Sequence, residues 1–93
     1  MIEPTRAERV IKIVNHAGMH ARPAAKFVKL AGSFASQITL TRDGLEVDGK
    51  SIMGVLMLSA EQGASLLVTA QGDDASDAVQ ALADLVGRNF EEN

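Results

Sequence analysis

Cysteine, tryptophan and tyrosine are absent from the 93 residues, and phenylalanine occurs only three times. Without cysteine there is no disulfide framework and no thiolate chemistry, and the chain is indifferent to redox compartment. So few aromatics leave little for nucleobases to stack on. A net charge of −3 gives no electrostatic hold on a phosphate backbone, so nucleic acid is not expected as a partner. The two histidines, His16 and His20, make no plausible metal set, and no metal or cofactor is expected. No apolar run approaches the ~20 residues that span a bilayer, and the opening "MIEPTRAERV" lacks the apolar centre of a signal peptide. No membrane contact is therefore expected, and a cytoplasmic location is the default.

What is present suits one small globular domain over residues 1–93. Apolar residues make up 46% and charged residues 23%, ordinary values for such a chain. At this length the core is small, with room for two layers of secondary structure. Residues 1–8 are polar and are expected to be flexible.

"VIKIVN" (10–15) is β-branched and apolar, which predicts a short, largely buried strand. From 21 the period changes: Ala24, Phe27, Val28 and Ala31 mark the buried stripe of a helix that ends at Gly32. Pro23 falls in its first turn, where a missing N–H costs nothing. "QITLTR" (37–42) alternates, with Ile38 and Leu40 on one face. Asp43-Gly44 is a hairpin signal, and "LEVD" (45–48) returns with Leu45 and Val47 inward. "SIMGVLMLSA" (51–60) predicts a short helix despite Gly54, with Val55, Leu58 and Met57 in the core. "SLLVTA" (65–70) is a strand burying Leu66, Val68 and Ala70. Gly72-Asp73-Asp74 is a turn and cap, leading into "ASDAVQALADLV", where Ala75, Val79, Leu82 and Val86 form a helical stripe. The order β-α-β-β-α-β-α suggests an α+β fold, an antiparallel sheet covered on one side by helices.

The stretch "GMHARPA" (18–24) carries the chemistry. His20 stands as the N-cap of the first helix and Arg22 lies in its first turn. Backbone N–H groups there lack intrahelical partners and, with the helix dipole, favour an anion. An imidazole that took up a phosphoryl group would find those N–H groups and the Arg22 guanidinium ready to hydrogen-bond its oxygens. A histidine at a helix start is more often an ordinary surface residue, although an arginine set against its own dipole is less ordinary.

"GMHARPAAKFV" resembles the phosphorylation-site motif of HPr, the histidine-containing phosphocarriers of the bacterial phosphoenolpyruvate-dependent phosphotransferase system. "DGKSIMGVLML" (48–58) is similar to the second motif of that family, at a matching separation. The resemblance implies a two-layer open-faced sandwich with strand order 1-4-2-3 and three helices on one face. It implies that His20 accepts a phosphoryl group on Nδ1 from phosphorylated enzyme I and donates it to a IIA protein or domain, Arg22 offsetting phosphate charge. The protein would then be a carrier rather than an enzyme, acting as a monomer.

Ser51 sits where a helix cap belongs. The family resemblance implies a second role, as the target of an HPr kinase/phosphorylase, with added negative charge repelling partners. It also implies that Ile52, Met53 and Leu56 dock donor and acceptor, a task to which a flexible methionine is suited. Lys26, Lys29 and Lys50 stand as rim charges, each more simply a solvated one. His16 is expected in an exposed loop, and the resemblance implies that Asn15 helps order the site loop. Two alternatives stay open: a nitrogen-type carrier in a regulatory relay without sugar transport, and an acylphosphatase-like hydrolase using an arginine near a helix start.

Overall fold

Residues 5–91 are described by the computed structural model. Along them run β1 (Arg6–Lys12), α1 (Ala21–Gly32), β2 (Gln37–Arg42), β3 (Leu45–Asp48), α2 (Ile52–Met57), β4 (Ser65–Gln71) and α3 (Ala75–Gly87), closed by a 3-10 turn at Asn89–Glu91. The strands form one antiparallel sheet in the order β1-β4-β2-β3. Both central strands obey period 2: Ile38 and Leu40 of β2, and Leu66, Val68 and Ala70 of β4, are buried. Leu40 faces Val68 on one side and Val47 on the other, a row of cross-strand apolar pairs beneath the helices. Helix α1 supplies Ala24, Phe27 and Ala31, and α3 supplies Val79, Leu82 and Val86, to the same core. The three helices cover this face alone, which makes the open-faced sandwich expected from the motifs.

Four expectations need correction. The first strand begins at Arg6 and ends at Lys12, not at 10 and 15. Residues 6–8 lie within this strand: Arg6, Ala7 and Glu8 pair with Gln71, Ala70 and Thr69 of β4. Ladder hydrogen bonds do not depend on side-chain polarity, and Arg6 and Glu8 pair with each other at 3.1 Å. Residues 1–4 lie outside the described chain. The strand is also mostly exposed rather than largely buried: Ile11 points inward, while Val10 is 64% exposed. Leu45, expected inward, is 44% exposed at the hairpin end of the edge strand. The hairpin turn itself is as expected, with Asp43 and Gly44 both at positive φ (50° and 85°).

Asp74 is the third correction. It holds the N-cap position of α3 but makes no side-chain capping bond. Its carboxylate instead accepts from the backbone N–H of Ala35 (2.8 Å) and Ser36 (2.9 Å) and from the Ser36 hydroxyl, tying the entry of β2 to the start of α3. The Ser36 hydroxyl above all, then the Ala35 amide, holds the Asp74 carboxyl below its ordinary value of 3.8. The unfolded chain thus takes up this proton first, so the contribution is whole above the ordinary value and is lost as pH falls through the lower folded one. Asp74→Asn is expected to lower the urea midpoint at neutral pH and to flatten its decline below about pH 4. An unchanged acid slope would show that Asp74 contributes none of the acid sensitivity.

The fourth concerns Lys26 and Lys50, expected as solvated charges. Past α3, Asn89, Phe90 and Glu91 turn with left-handed φ of 59°, 56° and 62°. This seats the Phe90 ring in the core, where Lys26 Nζ reaches its carbonyl at 2.9 Å. Lys26 is thereby anchored rather than simply solvated, and so is Lys50, whose Nζ donates to the Phe34 carbonyl at 2.8 Å.

Candidate functional site

The loop between β1 and α1 has to end with a histidine at a helix start, and a series of backbone bonds brings it there. Gly18 N–H donates to the Asn15 carbonyl (3.1 Å), and Asn15 Nδ2 donates back to the Gly18 carbonyl (2.7 Å). Asn15 is buried while doing so, the ordering role expected of it. Gly18 takes φ +75°, and a Cβ there would stand 2.5 Å from the Ala60 carbonyl oxygen and 2.9 Å from Glu61 Cα. Only glycine lets the loop lie this close to the segment leading into β4. The contact is then fastened: Met19 N–H donates to the Ala60 carbonyl at 2.7 Å, and the Met19 side chain is buried in the core.

With Met19 pointing in, His20 points out. It is exposed and holds the N-cap of α1 with extended backbone (φ −90°, ψ −165°) and no side-chain capping bond. A histidine is a weak N-cap compared with Ser, Thr, Asp or Asn, so capping does not account for its choice. The first i→i−4 bond runs from Ala24 N–H to the His20 carbonyl at 2.9 Å. Pro23 precedes that bond and forfeits nothing by lacking an N–H. The first-turn amides are those of Ala21 and Arg22, the Arg22 side chain is exposed, and no acidic residue stands in this turn. The helix end therefore presents positive potential beside an accessible imidazole, an arrangement that can hold a phosphate on the ring.

Helix α2 lies beside α1. Ser51 caps it as its type and position suggest, its Oγ accepting from Gly54 N–H at 3.1 Å. Ile52 and Met53 are exposed, whereas Leu56 is half-buried and packs against the core. Met57 is a correction: expected in the core, it is 63% exposed. One turn of α2 places Met57 beside Met53, so the pair, not Met53 alone, gives the helix its apolar outer face. Val55 and Leu58 are buried as expected. Lys29 is exposed in the last turn of α1, and His16 is exposed in the loop.

Motif reading did not single out Gly18, Met19, Arg42 or Glu61. Gly18 stood in the quoted motif, and a glycine two residues ahead of a helix cap was a signal of close approach. Arg42 gave no local signal: beside a long ion pair to the neighbouring Asp43 (3.6 Å), its hydrogen bonds reach residues 16 to 19 positions away in the chain. Among the described residues no three of the His, Asp and Glu side chains gather as a metal site, and no helix is long and apolar enough to cross a membrane.

Comparison with known proteins gives a consistent picture. Residues 7–88 match the family model described as "PTS HPr component phosphorylation site". The Phosphocarrier protein HPr of Cupriavidus necator is 44% identical over 85 residues, covering 91% of this chain and 96% of that one. The crystal structure of HPr-C-His from Thermoanaerobacter tengcongensis superposes with a TM-score of 0.90 at 45% identity, covering 94% of this chain and 98% of that one. An HPr from the same organism crystallised as a dimer gives a TM-score of 0.76 at 46% identity, with 88% and 94% covered.

Proposed function

This chain belongs to the HPr family, phosphocarriers of the phosphotransferase system, and we propose that His20 is the residue on which it carries the phosphoryl group. The observation that carries the proposal is the exposed imidazole at the N-terminus of α1, used for no capping bond. Nδ1 attacks the phosphorus held on enzyme I; a P–N bond forms on His20 as the bond to enzyme I breaks. At the acceptor, a IIA protein or domain of a sugar transporter, a nucleophile attacks the same phosphorus, and the P–N bond to His20 breaks as the new bond forms. Little covalent work falls to the chain itself. Positioning and charge compensation do the rest, with Arg22 and the first-turn amides facing the phosphate oxygens. As a phosphocarrier the chain passes the group on rather than releasing it to water, and the hydrolase alternative falls away.

Ile52, Met53 and Leu56 form the docking face for both partners, to which the exposed Met57 belongs as well. A polarisable, flexible side chain fits two different surfaces in turn. The carrier works as a monomer in the cytoplasm. Ser51 is the regulatory site for a kinase/phosphorylase. A phosphate there adds about −1.5 to −2 charges next to that docking face.

The test is to incubate the protein with phosphoenolpyruvate and a bacterial enzyme I and weigh it intact, then again after acid. One acid-labile phosphate is expected, with slower uptake by Ser51→Asp than by wild type. No uptake by wild type, from an enzyme I active on another carrier, would defeat the carrier proposal; equal rates in Ser51→Asp would defeat the regulatory one.

A further inference from the structure

We propose that Arg42 is a positioning residue for the His20 loop, acting through the carbonyls of the segment that follows α2. The inference rests on His20 being the phosphoryl carrier. Arg42 ends β2, and its side chain is only 22% exposed. Its Nη1 donates to two backbone carbonyls, those of Leu58 (3.1 Å) and Ser59 (3.0 Å). Its Nη2 meets both carboxylate oxygens of Glu61, at 2.8 and 3.1 Å. One planar fork thus holds residues on either side of Ala60, and the carbonyl of Ala60 accepts the Met19 N–H. The same Ala60 carbonyl and the Glu61 backbone form the surface against which Gly18 lies.

A surface ion pair alone would carry little weight. Here the guanidinium also satisfies the carbonyls left open at the C-terminal end of α2. It holds Ser59 in left-handed backbone (φ 48°), a conformation that persists only where surroundings impose it. The Glu61 carboxyl is held below its usual range by its own backbone N–H and by Arg42, so the acid is charged when it meets the fork. A lysine supplies one point charge and cannot span both carbonyls and a carboxylate. The direction of the Ala60 carbonyl, and with it the seat of Met19 and the aim of His20, follows from this clasp. The clasped segment runs on from the docking helix and meets the His20 loop at Ala60, which links the two parts of the site.

Arg42→Met, Arg42→Lys and Glu61→Gln are compared with wild type as phosphoryl acceptors for enzyme I, with kcat and KM for the carrier measured separately. Amide exchange of Met19 is followed beside that of Val68 in the sheet core. Arg42→Met is expected to lower kcat roughly tenfold, short of the ~10²-fold that a 1 Å misplacement can cost. KM should stay within about twofold, as expected when positioning rather than uniform binding is lost. Met19 exchange should accelerate relative to Val68, with Arg42→Lys and Glu61→Gln intermediate. An unchanged kcat, or a rise confined to KM, overturns the inference. So does equal acceleration at Met19 and Val68, which would mark general destabilisation. A wild type that takes no phosphate overturns the carrier proposal itself; a wild type that does, beside an Arg42→Met as fast, overturns this inference alone.

Discussion

Alanine at position 20 is expected to abolish phosphoryl uptake completely while leaving the fold and its stability almost untouched. The two halves of that expectation have separate grounds. The imidazole is exposed and makes no capping hydrogen bond, so the ~1 kcal/mol commonly lost with a capping side chain does not apply. A substitution of this kind falls within about ±0.5 kcal/mol. The His20 carbonyl still accepts from Ala24 N–H, so the first turn of α1 keeps its register. The other exposed histidine tests the site assignment: His16 stands in the turn before Gly18, and His16→Ala should take up one acid-labile phosphate as wild type does. Intact mass after incubation with enzyme I, alongside a thermal melt, reads both halves. Residual acid-labile label on His20→Ala would move the carrier role to another residue, and a large fall in melting temperature would show that the ring has a structural task.

Where short-range periodicity was strong, the chain disclosed its fold. The bounds of α1, β2 and β3 follow from the patterns over 21–32, 37–42 and 45–48, because each has a clear period and a turn residue at its end. The start of β1 is hidden because its pairing with β4 runs through Arg6 and Glu8, side chains that announce solvent rather than a strand. The exposure of Met57 is hidden for the opposite reason. In a helix of six residues that is apolar nearly all round, composition does not say which side faces out. The position proposed to carry the phosphoryl group is legible in its motif, since His20 and Arg22 bring their types and spacing with them. The long-range contacts that join the elements are not, because Asp74 reaches Ser36 and Arg42 reaches Glu61 across the fold. Such contacts are properties of the topology, and no window along the chain contains both partners.

The loop's dependence on backbone proximity gives Gly18→Ala the largest structural penalty expected at the site. A side chain at φ +75° costs ~1–2 kcal/mol from the left-handed conformation. The added Cβ at 2.5 Å from the Ala60 oxygen and 2.9 Å from Glu61 Cα forces a shift, and overpacking of this kind costs ~1–3 kcal/mol. Together these reach about 2–5 kcal/mol, a large part of the ~5–15 kcal/mol that holds a small domain. The obstacles are backbone atoms, which have no rotamer to change, so the loop must move away from residues 60–61. Moving it breaks the Met19 bond to Ala60 and reorients His20. Phosphoryl uptake should therefore fall more than the unfolded fraction accounts for, measured at a temperature where circular dichroism shows the variant folded. Gly18→Asn separates the two penalties, because asparagine tolerates left-handed backbone better than alanine yet carries the same Cβ. If steric exclusion dominates, Asn is no better than Ala in either melting temperature or uptake. If Asn recovers most of the loss, backbone conformation alone was the constraint, and the close approach to Ala60 is not what seats the histidine.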